Sequence, residues 1–167
     1  MTAVPPQTPG DGRVTLVLPW PPTINSYWRH VGGKVLISKD GREFRKLVVA
    51  ATRDAVASPL TGRLAVAVLL RAPDRRRYDI DNRLKALLDA ITCAGVWEDD
   101  GQVDAIVACR REPFRPCGMA VVAIAPMPDD AVAVGDAQDA ELRKVFAAAY
   151  PRLMLSASDA GKGGEGR

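Results

Sequence analysis

Histidine occurs once in this chain, at position 30, and cysteine three times, at 93, 109 and 117. One histidine leaves no room for a nucleophilic triad or a histidine-rich metal site beyond His30 itself. An odd number of cysteines with no C-x-x-C pair argues against both a disulfide framework and a zinc site. The three thiols are therefore expected to be small buried residues. No apolar run is long enough to span a bilayer, and the opening MTAVPPQTPGDGR lacks the apolar core of a signal peptide. The expected setting is a reducing cytoplasm, with no membrane partner.

Charge is present but unevenly placed. The net charge is +3 over 167 residues. Residues 13–125 carry 18 Lys and Arg against 12 Asp and Glu, whereas residues 126–167 carry 5 against 7. A basic body with a slightly acidic tail suits a polyanionic partner, although basic surfaces also serve solubility.

The chain is long enough for one domain with a real core. Residues 1–12 read as a flexible N-terminal arm. RVTLVLP (13–19) alternates as a strand, WPPTINSYWRHVGG (20–33) reads as an ordered loop, and KVLIS (34–38) as a short strand. Ser38 is the expected cap of a helix from Lys39 to about Ala57, with Phe44, Leu47, Val48, Ala51 and Ala55 on its inner face. RLAVAVLLRAP (63–73) has the pattern of a buried strand. Ile80, Leu84, Leu87, Leu88 and Ile91 recur at helical spacing from Asp79 to Cys93, and Gly95 closes that helix. Residues 102–112 and 117–126 read as two further strands around the turn PFRP. The result is an α+β domain over 13–126 in the order β-β-α-β-α-β-β, one sheet carrying two main helices. Residues 127–167 read as a linker, a segment AQDAELRKVFAAAY that could form an extra C-terminal helix, and a disordered tail.

The informative stretch is DRRRYDIDNRLK, Asp74 to Lys85. Three arginines precede two aspartates, Asp79 and Asp81, at the start of a helix. Carboxylates are favoured there by the helix dipole and unpaired N–H groups, so either aspartate could simply be an N-cap. Lys85 follows Asp81 by one turn and shares its face. A second acidic pair, Asp99 and Asp100, follows the helix. If Asp100 leads into a strand beside the one ending near Ala72, its carboxylate could approach Asp79 and Asp81. Three carboxylates near a lysine would suit Mg²⁺ or Mn²⁺. A calcium-binding EF-hand loop starting at Asp79 fails, because its glycine and glutamate positions are Leu84 and Ala90.

Such a site among arginines suits phosphodiester hydrolysis. A metal would activate water, Lys85 would stabilise developing charge, and Arg75, Arg76 and Arg77 would grip phosphates. The competing reading is a solubilising loop whose arginines pair with Asp74 and Asp79. In the first loop, Asn25, Tyr27, Arg29 and His30 combine amide, aromatic and cationic groups that suit contact with a polyanion backbone, whereas Trp20, Tyr27 and Trp28 could equally pack the loop onto the sheet. His30 is not needed as a metal ligand beside a complete oxygen set, and Trp97 reads as a packing anchor.

DRRRYDIDNRLKALLDAITCAGVWEDDGQV (74–103) resembles the signature of the RusA family of Holliday junction resolvases, and LPWPPTINSYWRH (18–30) looks like that family's N-terminal motif. The resemblance spans roughly residues 13–125. Its pattern is long and fixed: D-x-D-N-x-x-K, then D, then G-x-x-x-D-D-x-Q. The resemblance implies a homodimer that nicks four-way DNA junctions symmetrically with Mg²⁺. It places the essential acids at Asp79, Asp81 and Asp100 and the catalytic lysine at Lys85. Asp99 is the less favoured member of its pair, while Asn82 and Gln102 support the motif. Tyr78 departs from the pattern, standing where an arginine is expected and removing one candidate phosphate contact. A non-catalytic protein that binds branched DNA, and a nuclease of broader flap or fork specificity, remain alternatives at this point.

Overall fold

The computed structural model describes residues 12–127. The expected arm over most of 1–12 and the calls on 128–167, including the C-terminal helix, lie outside the described residues. The elements are β1 (Val14–Pro19), α1 (Ile24–Tyr27), β2 (Trp28–Val31), β3 (Lys34–Ile37), α2 (Lys39–Thr52), β4 (Leu64–Arg71), α3 (Asp81–Cys93), β5 (Val103–Arg111) and β6 (Met119–Pro126). A 3₁₀ turn over Asp100–Gln102 leads into β5.

The α+β class and the order of the main elements agree with the sequence reading. Four strands form one sheet in the order β1-β6-β4-β5. β6 runs antiparallel to both β1 and β4, while β4 and β5 are parallel, pairing Leu64 with Val103 and, after a one-residue shift, Ala65↔Ala105 to Arg71↔Arg111. Parallel neighbours need a crossover, and α3 supplies it. β4 is a central strand, and its continuous apolar sequence is buried almost throughout. The core holds Leu16, Leu18, Val66, Leu70, Leu87, Ile91, Val122 and Ile124.

The first loop is more structured than a loop. Thr23 accepts the Ser26 N–H at 3.2 Å and caps the single turn α1. β2 and β3 then pair as a separate two-stranded sheet, so the expected single sheet becomes a main sheet plus a small hairpin. One turn is too short for a helical period to register, and β2 is half polar. Tyr27 is fully buried, and Trp20 and Trp28 pack against the core. The packing reading of the three aromatics therefore holds.

Ser38 caps α2 as expected, accepting the Gly41 N–H at 2.9 Å. The helix stops at Thr52 rather than near Ala57, and its buried face is Gly41, Phe44, Val48 and Thr52. Leu47 is 47% exposed. Gly41 explains the rotation: a side chain there would stand 2.6 Å from the Tyr27 carbonyl oxygen, so α2 crosses α1 on its glycine. Thr52 returns its hydroxyl to the Val48 carbonyl at 2.9 Å, which lets a polar residue stay buried. Gly95 ends the α3 segment at φ +72, as a C-terminal glycine should. The cysteines are not buried: Cys93 and Cys117 are exposed and Cys109 is intermediate. Trp97 is an anchor, 1% exposed, with its indole N–H given to Thr92 Oγ1 at 2.6 Å.

Candidate active site

α3 begins at Asp81, and its cap position is Ile80, in helical conformation with no side-chain cap hydrogen bond. The N-cap reading of Asp79 and Asp81 therefore fails for this helix. Asp79 stays just outside it and accepts a long contact from Asn82 Nδ2 at 3.4 Å. Asp81 opens the first turn, where the helix N-terminus favours an anion.

Lys85 lies one turn further along. Its ammonium donates to Asp89 Oδ1 at 2.8 Å and to Asp100 Oδ2 at 2.9 Å. These two partners, Asp89 first, raise the lysine pKa well above its ordinary value, so the ammonium is held charged. The second oxygen of Asp89 is buried without a hydrogen-bond partner. Asp89 was not singled out from the sequence. Its signal was available, because an acid four residues after a lysine shares its helix face.

Asp99 and Gln102 build the turn that presents Asp100. Asp99 Oδ1 accepts the Gly101 N–H at 2.7 Å. Gln102 Oε1 accepts the N–H groups of Glu98 and Asp99 at 2.8 and 2.9 Å. Its amide nitrogen donates to the carbonyls of Leu60 and Gly62. Gln102 thus ties the acidic turn to the segment before β4, and Asp99 is occupied as a cap.

Asp100 does precede a strand beside β4. The strands are parallel, however, so the β5 start lies at the Leu64 end of β4, whereas the loop carrying Asp79 follows the Arg71 end. Among the described residues, no three Asp, Glu, His or Cys side chains are gathered closely enough to hold a metal ion. The expected convergence of Asp79, Asp81 and Asp100 is not formed by these side-chain positions. What the structure joins is Lys85, Asp89 and Asp100. Asp79, Asp81 and Asp100 suit a hard divalent cation in kind, since all their donors are carboxylate oxygens.

The loop 74–78 fits neither simple reading in full. Arg76 pairs with Asp74 at 3.6 Å, and Asp74 also accepts the Arg76 N–H at 2.9 Å. Arg75 and Arg77 are exposed beside an open cleft of about 670 Å³. Tyr78 turns inward. Trp20 meets its ring edge-on at 5.0 Å, and burial raises its phenol pKa. Arg110 of β5 lies 5.2 Å over the same ring and donates to the Tyr78 carbonyl at 2.7 Å.

Arg83 is a second residue the sequence left unnoticed. It rises from α3 to stack 4.7 Å over Trp20 and donates to the Pro21 carbonyl. Burial lowers its pKa. This contact fastens the first loop beside α3, where Asn25 is exposed. Arg29 is exposed on the β2–β3 hairpin, paired in register with Leu36, and His30 is also exposed there.

The family described as endodeoxyribonuclease RusA matches residues 19–124 of the chain. The chain is 44% identical over 95 residues to the crossover junction endodeoxyribonuclease of Enterobacteria phage HK97, covering 56% of this chain and 79% of that protein. The enzyme of the same name from Shigella sonnei (strain Ss046) is 44% identical over 93 residues, with 53% and 75% covered. That of Enterobacteria phage 82 is 45% identical over 92 residues, with 53% and 74% covered.

Proposed function

This chain belongs to the endodeoxyribonuclease RusA family, and from that membership we propose that it is a Mg²⁺-dependent endonuclease that resolves four-way DNA junctions by paired symmetric nicks. One observation carries the reading: Lys85, one turn after Asp81, is held as a cation between Asp89 and Asp100. A fixed positive charge beside anionic ligands suits phosphodiester hydrolysis.

Asp79, Asp81 and Asp100 are the residues that would hold Mg²⁺, or Mn²⁺ in its place. The ion would supply charge neutralisation and an activated water. Lys85 would stabilise negative charge on the phosphoryl oxygens. Asp89 keeps Lys85 charged and aimed, so it is a positioning residue. Asn82 orients Asp79. Asp99 and Gln102 fix the turn under Asp100. Arg75, Arg76 and Arg77 would bind neighbouring phosphates, and Asn25 and Arg29 would contact the junction from the first loop.

Two nicks on opposing strands need two such sites, because one site cuts one phosphodiester at a time. The proposed working form is a homodimer whose two-fold axis matches the symmetry of the junction. The test is cleavage of synthetic four-way junctions, forks and linear duplex as Mg²⁺ is titrated. Paired nicks on junctions, abolished by chelator while binding persists, are expected. Junction binding with no nicking at any Mg²⁺ concentration would replace this reading with a binding protein, and equal cutting of forks would broaden its specificity.

A further inference from the structure

Beyond the C-terminal ends of β4 and β5, the cleft of about 670 Å³ is walled on one side by Arg75, Arg76 and Arg77 and on the other by Arg110 and Arg111. A second lobe of about 470 Å³ adjoins it through Arg75 and continues to Arg115. Among the described residues, two of these six guanidinium groups have protein partners: Arg76 is paired with Asp74, and Arg110 is spent on Tyr78. Arg75, Arg77, Arg111 and Arg115 are exposed and face the two lobes with no ion pair among the described residues. Asp79 lines the larger lobe, and Glu112 lines both. Six arginines outnumber the three carboxylates Asp74, Asp79 and Glu112 around the two lobes, so the concavity is net positive and holds counterions that an arriving polyanion would release.

We infer that this cleft is a nucleic-acid backbone track with two walls, in which Arg111 and Arg115 bind phosphates opposite the Arg75–Arg77 loop and lead the strand toward Asp79. The second wall is firm. Arg110 locks the Tyr78 backbone to β5, and Phe114 at the turn is hydrogen-bonded through its N–H to the Ala72 carbonyl at 2.9 Å and sits under Arg71 at 5.5 Å. The inference rests on the proposed endonuclease reading for the identity of the polyanion as DNA.

The experiment compares Arg111→Ala/Arg115→Ala with a control of equal charge change, Lys46→Ala/Arg53→Ala, both controls being exposed on or beside α2. Binding of a labelled linear duplex and of a single strand of equal length is measured across a salt series. Loss of two phosphate contacts lowers the slope of log K against log salt by about 1.8 on duplex, or about 1.4 if the occupant is single-stranded. The control pair should retain the parent slope. Unequal loss on the two probes identifies which form of DNA lies in the cleft. An unchanged slope in the cleft variant, or an equal drop in the control, overturns the track. Melting temperatures of both variants report that each is folded. Failure of the endonuclease reading is seen separately, as absence of cutting by the parent chain.

Discussion

Lys85 and Asp100 belong to different elements, fifteen positions apart, yet their charged groups stand 2.9 Å from each other. That distance couples the second turn of α3 to the turn that opens β5. Any change at one end is therefore felt at the other.

Asp100→Asn tests the acid end. It removes a proposed ligand and half of the cradle of Lys85, but also one negative charge facing phosphate. Junction cutting should fall to background while junction binding holds or tightens. Parallel loss of binding and cutting, with a lowered melting temperature, would assign Asp100 a folding role.

Lys85→Ala tests the cation. Losing one preorganised charge should cost about 3 kcal/mol in the transition state, roughly a hundredfold in single-turnover rate at saturating enzyme. It also strips Asp89 of the partner of Oδ1, so stability should drop by about 1–3 kcal/mol. Replacing Asp89 by Asn in the same chain should restore much of the stability and none of the rate. A rate recovered merely by adding enzyme would make Lys85 a binding residue.

The pH behaviour follows from the direction of the lysine shift. The folded pKa lies above the unfolded one, so the stabilisation is complete below the unfolded value. It is lost only as pH rises through the folded value. Lys85 should stay charged throughout the range in which ordinary surface lysines titrate. Carbon-detected NMR of the lysine ε-methylenes would check this, with a short unstructured lysine peptide as the reference. A Lys85 midpoint at or below that of the peptide would contradict the cradle.

Gly41→Ala tests the seating of the first loop. A methyl group would meet the Tyr27 carbonyl oxygen at 2.6 Å and the Ile37 side chain at 2.8 Å. Overpacking of this kind costs about 1–3 kcal/mol. Denaturant melts should show the loss, and a melt as stable as the parent would mean that α2 can slide on α1.

Mixed dimers test the proposed assembly. A wild-type chain paired with an Asp79→Asn chain should nick one strand of a cruciform plasmid and release it without linearising it. Linear product from isolated heterodimers, with exchange of chains prevented, would mean that a single site cuts twice.

The fold was legible where pattern is long. β1 shows as an alternating β-branched run, β4 and β6 as apolar runs, and α3 as five apolar residues at helical spacing. α1 and β2 were not, because a four-residue turn and a four-residue strand carry too few residues for any period. The inner face of α2 was misread because apolar character suggested Leu47, whereas close approach to Tyr27 demanded glycine at 41. At the site, the acids and Lys85 stood out by local density. Their geometry did not, since whether β5 runs parallel or antiparallel to β4 is a property of the sheet. Asp89 is legible four residues after Lys85 on the same helix face, whereas Arg83 and Arg110 act through contacts remote from their own motifs. The exposed cysteines have the same cause, since burial is decided by neighbours rather than by residue type.

The parallel pairing of β4 with β5 has a consequence for insertions and deletions. The chain must travel back along the sheet between these strands, and every residue proposed for the chemistry lies on that single excursion from Asp74 to Gln102. Both ends are clamped, by strand register and by the grip of Gln102 on Leu60 and Gly62. One residue removed from the middle of α3 rotates the following turn by about 100° and swings Asp89 away from Lys85. One residue added between Ala94 and Asp99 displaces Asp100 and leaves Asp81 where it is. Substitutions should therefore be tolerated across this stretch far more readily than changes in its length. A library of single-residue deletions selected for junction cutting should be empty from Asp81 to Gln102.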